Sequence, residues 1–362
     1  MAATRNPSRA NPQRQSGLVR PGIAAAQLPV VELDVRTGYD FLASACDDCG
    51  EANELLAEDQ RWLEESRAAL KAETTGDECV GACGGFVLEI SRMLVGRPEI
   101  RTARDVVEAI DALSDRDLTE IMAGELLEDA DLGALTRRAV DGDQEALVEL
   151  QARLESTKGH AVLAGPIADM TLAVRRIVEF WLPRYETIET RIGRMLERDV
   201  AGRRGDDIVG DPLGFIERAT NGVRVIPEQR IRRIVLTPSY FGRPYNSLTK
   251  VGDVQLICYP IADSSLGSAD RLTPPNSTIR LYRALGDESR LRILKLLAEG
   301  DRYLTEIANE LDLRKPTILH HLAVLRSAGL VTMTNEGNMT YYSLRHDRAD
   351  EAGVELRAYL AH

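Results

Sequence analysis

Apolar positions recur along most of this chain at the 3.6-residue spacing of amphipathic helices, and in two regions that period gives way to alternation. Between Gly38 and Leu70, Phe41, Leu42, Ala45, Leu55, Leu56, Trp62 and Leu63 form helical stripes. Phe86, Leu88, Ile90 and Leu94 do the same in a helix over 79–95, which Gly96-Arg97-Pro98 stops. Thr102 caps a helix over 103–113, and Ser114 with Asp117 caps one over 118–128. Further helices are predicted over 143–154 and 167–198, the second interrupted at Pro183, which lacks the N–H a helix interior needs. β-formers then take over at 223–226, 232–236 and 254–259, punctuated by Pro227, Pro238, Pro244 and Pro260. They predict a small sheet belonging with the helices before it, and 30–35 suggests one more short strand.

The second change of period lies near the C-terminus. Ile318, Leu322 and Leu325 form one apolar stripe of a helix over 315–328, with Pro316 in its first turn, where a missing N–H costs nothing. Ahead of it Ile307, Ala308 and Leu311 make the inner face of a shorter helix for which Thr305 is the expected N-cap, and Asp312-Leu313-Arg314 is a three-residue turn between the two. After Ala328-Gly329 the pattern alternates through Leu330–Thr334 and Met339–Leu344, with hairpin-turn residues at 335–338. Helix, turn, helix and a two-stranded wing make a winged helix, a module that mostly binds duplex DNA. The fold class expected is therefore mainly α with small β elements, a helical N-terminal domain followed by an α+β winged helix-turn-helix.

Four blocks, LYRALGDESRLRILKLL (281–297), LTEIANEL, KPTILHHLAVLRSAGLV and TYYSL, resemble in order and spacing the ArsR/SmtB winged-helix repressors. The resemblance covers about a fifth of the chain and implies a homodimeric transcriptional regulator, acting as a repressor, whose second helix enters the major groove of double-stranded DNA. Carried onto this sequence, it places Lys315, Thr317, Leu319 and His320 against base edges, and Thr305, Arg314, His321 and Arg326 against phosphates. There are departures. Arg314 stands where the family commonly opens the recognition helix with Ser, Leu319 where a second Ser is frequent, and the wing tip has no Arg or Lys. The paired cysteines of the metal-sensing members are absent from 303–308, so the resemblance gives no support to metal sensing. VELDVRTGYDFLASA, IVLTPSYFGRPYNSL and VQLICYPIAD further resemble a two-domain actinobacterial-type branch of ArsR-like regulators, which implies no activity for the N-terminal part.

Charge changes the picture of where DNA would sit. The chain of 362 residues has a formal charge of −12, yet residues 1–27 carry four arginines and no acid. Residues 279–345 carry ten Lys or Arg against eight Asp or Glu. The acidity belongs to 28–278, which should face away from phosphates. A net of two positive charges is a weak footprint for a nucleic-acid module, so dimerisation and the placement of those charges must carry affinity. Leu281, Leu285, Leu356, Tyr359 and Leu360 are apolar on elements a winged helix alone does not bury, and are expected at the dimer interface.

Organisation follows from composition. Residues 1–27, rich in Arg, Pro, Ser and Ala, are expected to be a disordered tail, 28–265 a helix-rich domain, 266–278 a linker, and 279–362 the winged helix with a C-terminal dimer helix. No apolar run approaches the ~20 residues a membrane helix needs, and no signal-peptide core is present, so no membrane partner and a cytoplasmic location are expected.

Candidate chemistry is sparse. Cys46, Cys49, Cys79 and Cys83, spaced CxxC and CxxxC, would suit a four-thiolate metal site. Pairs at i,i+3 and i,i+4 equally suit core positions on amphipathic helices, and the expectation is reduced, buried thiols with no metal and no cofactor. HExxH, GxSxG, P-loop and GxGxxG patterns are absent, and no enzymatic activity is expected. The polar stretch Tyr240, Arg243, Tyr245 and Asn246 is the one place where an effector of unknown identity would be sought. The competing reading is a winged helix retired from DNA and used for protein contacts.

Overall fold

The computed structural model describes residues 28–361 apart from 47–48, 75–88, 130, 156–166, 204–207, 268–271 and 337–338. The N-terminal tail, Cys79, Cys83 and the tip of the wing therefore lie outside the described residues.

Helices dominate. In the N-terminal part they are α1 (Thr37–Ala45), α2 (Ala57–Glu73), α3 (Ala103–Asp111), α4 (Asp115–Met122), α5 (Gly124–Glu128), α6 (Gly133–Val140), α7 (Gln144–Glu155), α8 (Ile167–Gly202) and α9 (Pro212–Ala219). The caps fall where the side chains dictate: Thr102 Oγ1 accepts from Asp105 N at 3.2 Å, and Ser114 Oγ accepts from Asp117 N at 3.1 Å. α8 is not broken at Pro183 but runs through it for 36 residues, roughly 54 Å at 1.5 Å per residue. Trp181 and Tyr185, on either side of that proline, are fully buried, and Trp181 Nε1 donates to Ser44 Oγ at 2.8 Å, so packing against α1 outweighs the lost backbone bond.

Strands β1 (Val30–Leu33), β2 (Val223–Arg224), β3 (Arg233–Ser239), β4 (Ser247–Val251) and β5 (Val254–Pro260) follow. Four of them make one sheet in the order β1-β3-β5-β4, parallel except for the β4–β5 pair. Alternation along β3 and β5 serves two cores. Val235, Leu256 and Cys258 join the large helical core built on α1, α3 and α8. Ile234, Leu236, Ile257 and Tyr259 meet Phe215, Ile216 and Ala219 of α9 on the other face. The sheet is thus covered on both sides, which is why its strands are buried nearly end to end.

The C-terminal part contains α10 (Asn276–Leu285), α11 (Glu288–Glu299), β6 (Arg302–Tyr303), α12 (Leu304–Leu311), α13 (Lys315–Ser327), β7 (Val331–Glu336), β8 (Met339–Leu344) and α14 (His346–Leu360). Leu281, Ile293, Leu297, Ile307, Ile318, Leu322, Leu325 and Leu330 form its core. α10 starts inside the stretch expected to be linker.

One expectation is corrected by the way the parts join. Val223–Arg224 does not enter the N-terminal sheet: β2 lies parallel to β7, with Val223 beside Met333 and Arg224 beside Thr334, so the wing sheet has the order β2-β7-β8-β6. Arg280 of α10 also reaches into the N-terminal part, pairing with Glu54, whose side chain is 4% exposed. Arg243, 1% exposed, lies 3.5 Å from the same carboxylate and also pairs with Asp263. A second correction concerns sulfur. Cys46 and Cys49 form a disulfide with Cα atoms 5.5 Å apart; α1 ends at Ala45, so Cys46 is extended and not part of a helix. Cys258 is a free, buried thiol.

Candidate nucleic-acid interface

The helix-turn-helix is set by its own packing. Ile307 and Leu311 of α12 and Ile318, Leu322 and Leu325 of α13 share one core, and Asp312 makes the turn between them in the left-handed region, φ 53°. α12 begins two residues earlier than a Thr305 cap would have it: Tyr303 is the flanking residue, its N–H donating to Glu306 Oε2 at 2.8 Å, and Thr305 sits in the first turn. Arg314 precedes α13 in an extended conformation and gives its helix no side-chain cap.

This geometry brings Arg314, Lys315, Pro316, Thr317, Leu319 and His320 to the open surface at the start of α13, with Leu319 46% exposed. Thr305 is exposed as well. No acidic residue occurs from Leu313 to Asn335, although Glu306, Glu310 and Asp312 are exposed just before that stretch.

The remaining two residues assigned to phosphates are placed elsewhere. His321 is half-buried, its Nδ1 enclosed 3.9 Å from Asp287 Oδ1 and without a hydrogen-bond partner among the described residues. Burial holds its imidazole below the ordinary value against the pull of Asp287, and Arg290 and His320 add to the depression. Arg326 lies on the face of α13 turned towards Thr220–Val223 and Pro244–Asn246 of the N-terminal part. Neither side chain shares the open surface at the start of α13.

The expected dimer residues divide similarly. Leu281 is fully buried in the winged-helix core and Leu285 packs against it, because α10 is an integral wall of that core. Leu356 and Leu360 on α14 are 37% and 71% exposed, next to Val354 at 56%. Tyr359 is half-buried and its hydroxyl donates to Leu272 O at 2.9 Å.

The expected effector residues are not one cluster. Tyr240 is fully buried, accepting from Leu56 N and donating to Asp59 Oδ2, both at 2.7 Å. Arg243 is consumed by Glu54, Asp263 and the carbonyl of Ile261. Both are internal struts. Tyr245 and Asn246 do line a cavity of about 210 Å³, which lies between the N-terminal part and α13. Among the described residues no group of three or more His, Cys, Asp or Glu is placed to hold a metal ion.

Residues at the joint escape a reading by pattern. Arg345 Nη1 donates to Asn221 Oδ1, and Arg348, 8% exposed, donates to Ala328 O at 3.1 Å while pairing with Glu351 and Glu355. A positive-φ Asn221 followed by Gly222 marks a tight turn, the only local sign of the first contact.

Comparison with known proteins bears on this C-terminal module. The description "Bacterial regulatory protein, arsR family" matches residues 287–333, and no family matches the N-terminal region. An HTH-type transcriptional regulator of Methanocaldococcus jannaschii is 44% identical over 72 residues, 20% of this chain and 81% of that protein. The transcriptional repressor SdpR of Bacillus subtilis is 38% identical over 64 residues, 18% of this chain and 71% of the repressor. The HTH-type transcriptional regulator CmtR of Mycobacterium tuberculosis is 40% identical over 77 residues, 21% of this chain and 65% of that regulator. With the helix-turn-helix and wing in place, the chain belongs to the ArsR family of bacterial DNA-binding transcriptional regulators.

Proposed function

We propose that this protein is a homodimeric, sequence-specific repressor that lays the N-terminal half of α13 in the major groove. The observation that carries the reading is the exposed start of α13, where Arg314, Lys315, Thr317, Leu319 and His320 open a 23-residue stretch of sequence, 313–335, that contains no acidic residue. Lys315 and Thr317 suit base-edge hydrogen bonds, Leu319 suits a thymine methyl, and His320 follows on the same open side. Arg314 and Thr305 suit the phosphates flanking them. His321 and Arg326 have no part in this reading. Self-association through Leu356, Leu360 and Val354 of α14 supplies the second half-site and much of the affinity that so few charges do not. A repressor role is favoured by SdpR, a repressor among the relatives.

Selection of bound sites from a random duplex library tests the whole reading. An imperfect palindrome with half-sites one helical turn or a multiple apart is expected, with binding that falls steeply with salt. Recovery of no enriched site, with salt-insensitive retention, would leave the winged helix as a protein-contact module.

A further inference from the structure

The cavity at the joint is built from residues 220–246 of the N-terminal part and from the winged helix. α13 contributes Ala323, Arg326 and Ser327, residues i, i+3 and i+4 on one helix face. The N-terminal part contributes Asn221, Tyr245 and Asn246. Its volume of about 210 Å³ exceeds the ~150 Å³ in which an engineered apolar cavity holds benzene. It is smaller than the ~300–1,000 Å³ of drug-sized sites.

Two features of the wall are unfinished. Among the described residues Arg326 is the only lining residue charged at neutral pH, and its side chain has neither a carboxylate partner nor a hydrogen bond. Burial lowers its affinity for the proton, with Tyr342 opposing, yet a guanidinium stays charged in a protein. A half-buried cation without a partner is only partly solvated, which is unfavourable, and nothing in the winged-helix core requires one here. Asn246 is the second. Its Nδ2 donates to Thr220 O at 2.9 Å, which leaves Oδ1 buried with no partner among the described residues. A buried carbonyl oxygen without a donor is likewise unfavourable. One missing group is an anion and the other a hydrogen-bond donor.

We infer that this cavity binds a small organic carboxylate bearing a hydroxyl or amino group, with Arg326 forked onto the carboxylate and Asn246 Oδ1 accepting from the donor. Arginine's planar pair of N–H groups matches a carboxylate's two oxygens, and a single ring or short chain fills the space. Tyr245 closes the wall without competing for the anion, since its hydroxyl is already given to Glu51. The ligand touches the recognition helix and the N-terminal part at once, so it favours the arrangement in which they are joined. The inference does not rest on the assignment of base-reading residues.

The test is titration calorimetry and thermal shift on the full chain with 4-hydroxybenzoate, 3-hydroxybenzoate and lactate, each beside its amide. At least one acid is expected to bind one to one and to raise the melting temperature with concentration, while its amide does not. Arg326→Gln and, independently, Ala323→Leu, which fills the space but keeps the cation, should each weaken that acid at least tenfold. Arg314→Gln, on the open face of the recognition helix, should not. The inference is overturned if no acid binds more tightly than about 1 mM, if amide and acid bind alike, or if Ala323→Leu leaves binding unchanged. It is also overturned if Arg326→Gln weakens duplex binding on all sequences and leaves the acid's affinity intact, for then Arg326 is a phosphate contact.

Discussion

Arg345 Nη1 donates to Asn221 Oδ1 at 3.1 Å, tying the residue after the wing to the turn before β2 across 124 positions of sequence. The same Asn221 oxygen stands where Gly329 has no side chain: a Cβ there would lie 2.5 Å away, and Gly329 has φ 73°. Gly329→Ala should therefore destabilise the protein by about 1–3 kcal/mol, from left-handed backbone strain and the clash together. Asn221→Gly, which keeps a positive φ accessible, should remove the clash and leave the strain. A double-mutant cycle by urea unfolding checks this, and additive effects would mean the two residues do not meet.

A buried carboxylate sets a pH dependence. Burial pushes Asp40 up to about 6, although Ser239 Oγ, the Phe241 and Tyr240 amides and Tyr185 hydrogen-bond it. Unfolded, the group titrates near 3.8, so between about pH 4 and 6 the folded state binds more protons than the unfolded one. This group's contribution to stability then falls as pH rises through that window and is level above it. Asp40→Asn keeps Oδ1 as acceptor for Ser239, Tyr240 and Phe241 while removing the charge. It should abolish this slope and add up to about 3 kcal/mol at neutral pH. Urea midpoints at pH 4.5 and 7.5 decide; a variant weaker than the parent at the higher pH contradicts the account.

On the DNA face, Lys315→Ala is expected to weaken an operator duplex by ~1–3 kcal/mol more than random duplex, the worth of one base contact. Arg314→Ala should weaken both alike and reduce the salt slope by about one unit. Equal losses on both duplexes for Lys315→Ala would move that residue to the phosphates.

Leu360 and Leu281, both read from the sequence as dimer contacts, should now behave differently. Leu360→Glu, at an exposed site on α14, should shift the protein from dimer to monomer by light scattering with little change in protomer stability. Leu281→Ala should cost 2–5 kcal/mol of stability as a core cavity. A Leu360→Glu protein that remains dimeric at micromolar concentration places the interface elsewhere.

What the sequence discloses depends on how local the cause is. Ile318, Leu322 and Leu325 announce α13 because a buried stripe is written at fixed spacing on one helix. Thr102 and Ser114 announce their helices because a cap acts within three residues. Arg326 looks solvent-facing by the same logic, since it is off that stripe; only the N-terminal part, more than 70 residues away in sequence, turns it inward. His321 is likewise off the stripe, and α11 covers it through Asp287. Val223–Arg224 is two residues long, too short to carry an alternating pattern that would name its partner. Pro183 shows the converse, a strong local rule overridden by the burial of its neighbours Trp181 and Tyr185.

The parallel pairing of β2 with β7 has a practical consequence for anyone cutting the chain. In the intact protein the outer backbone of the wing hairpin is occupied by Val223 and Arg224. A fragment starting near residue 270 removes that cover and leaves the N–H and C=O row of β7 open, a template on which a second molecule can add its own strand. Association measured on such a fragment would report this artificial stickiness, and the native symmetry of the protein has to be measured on chains that retain residues 220–224.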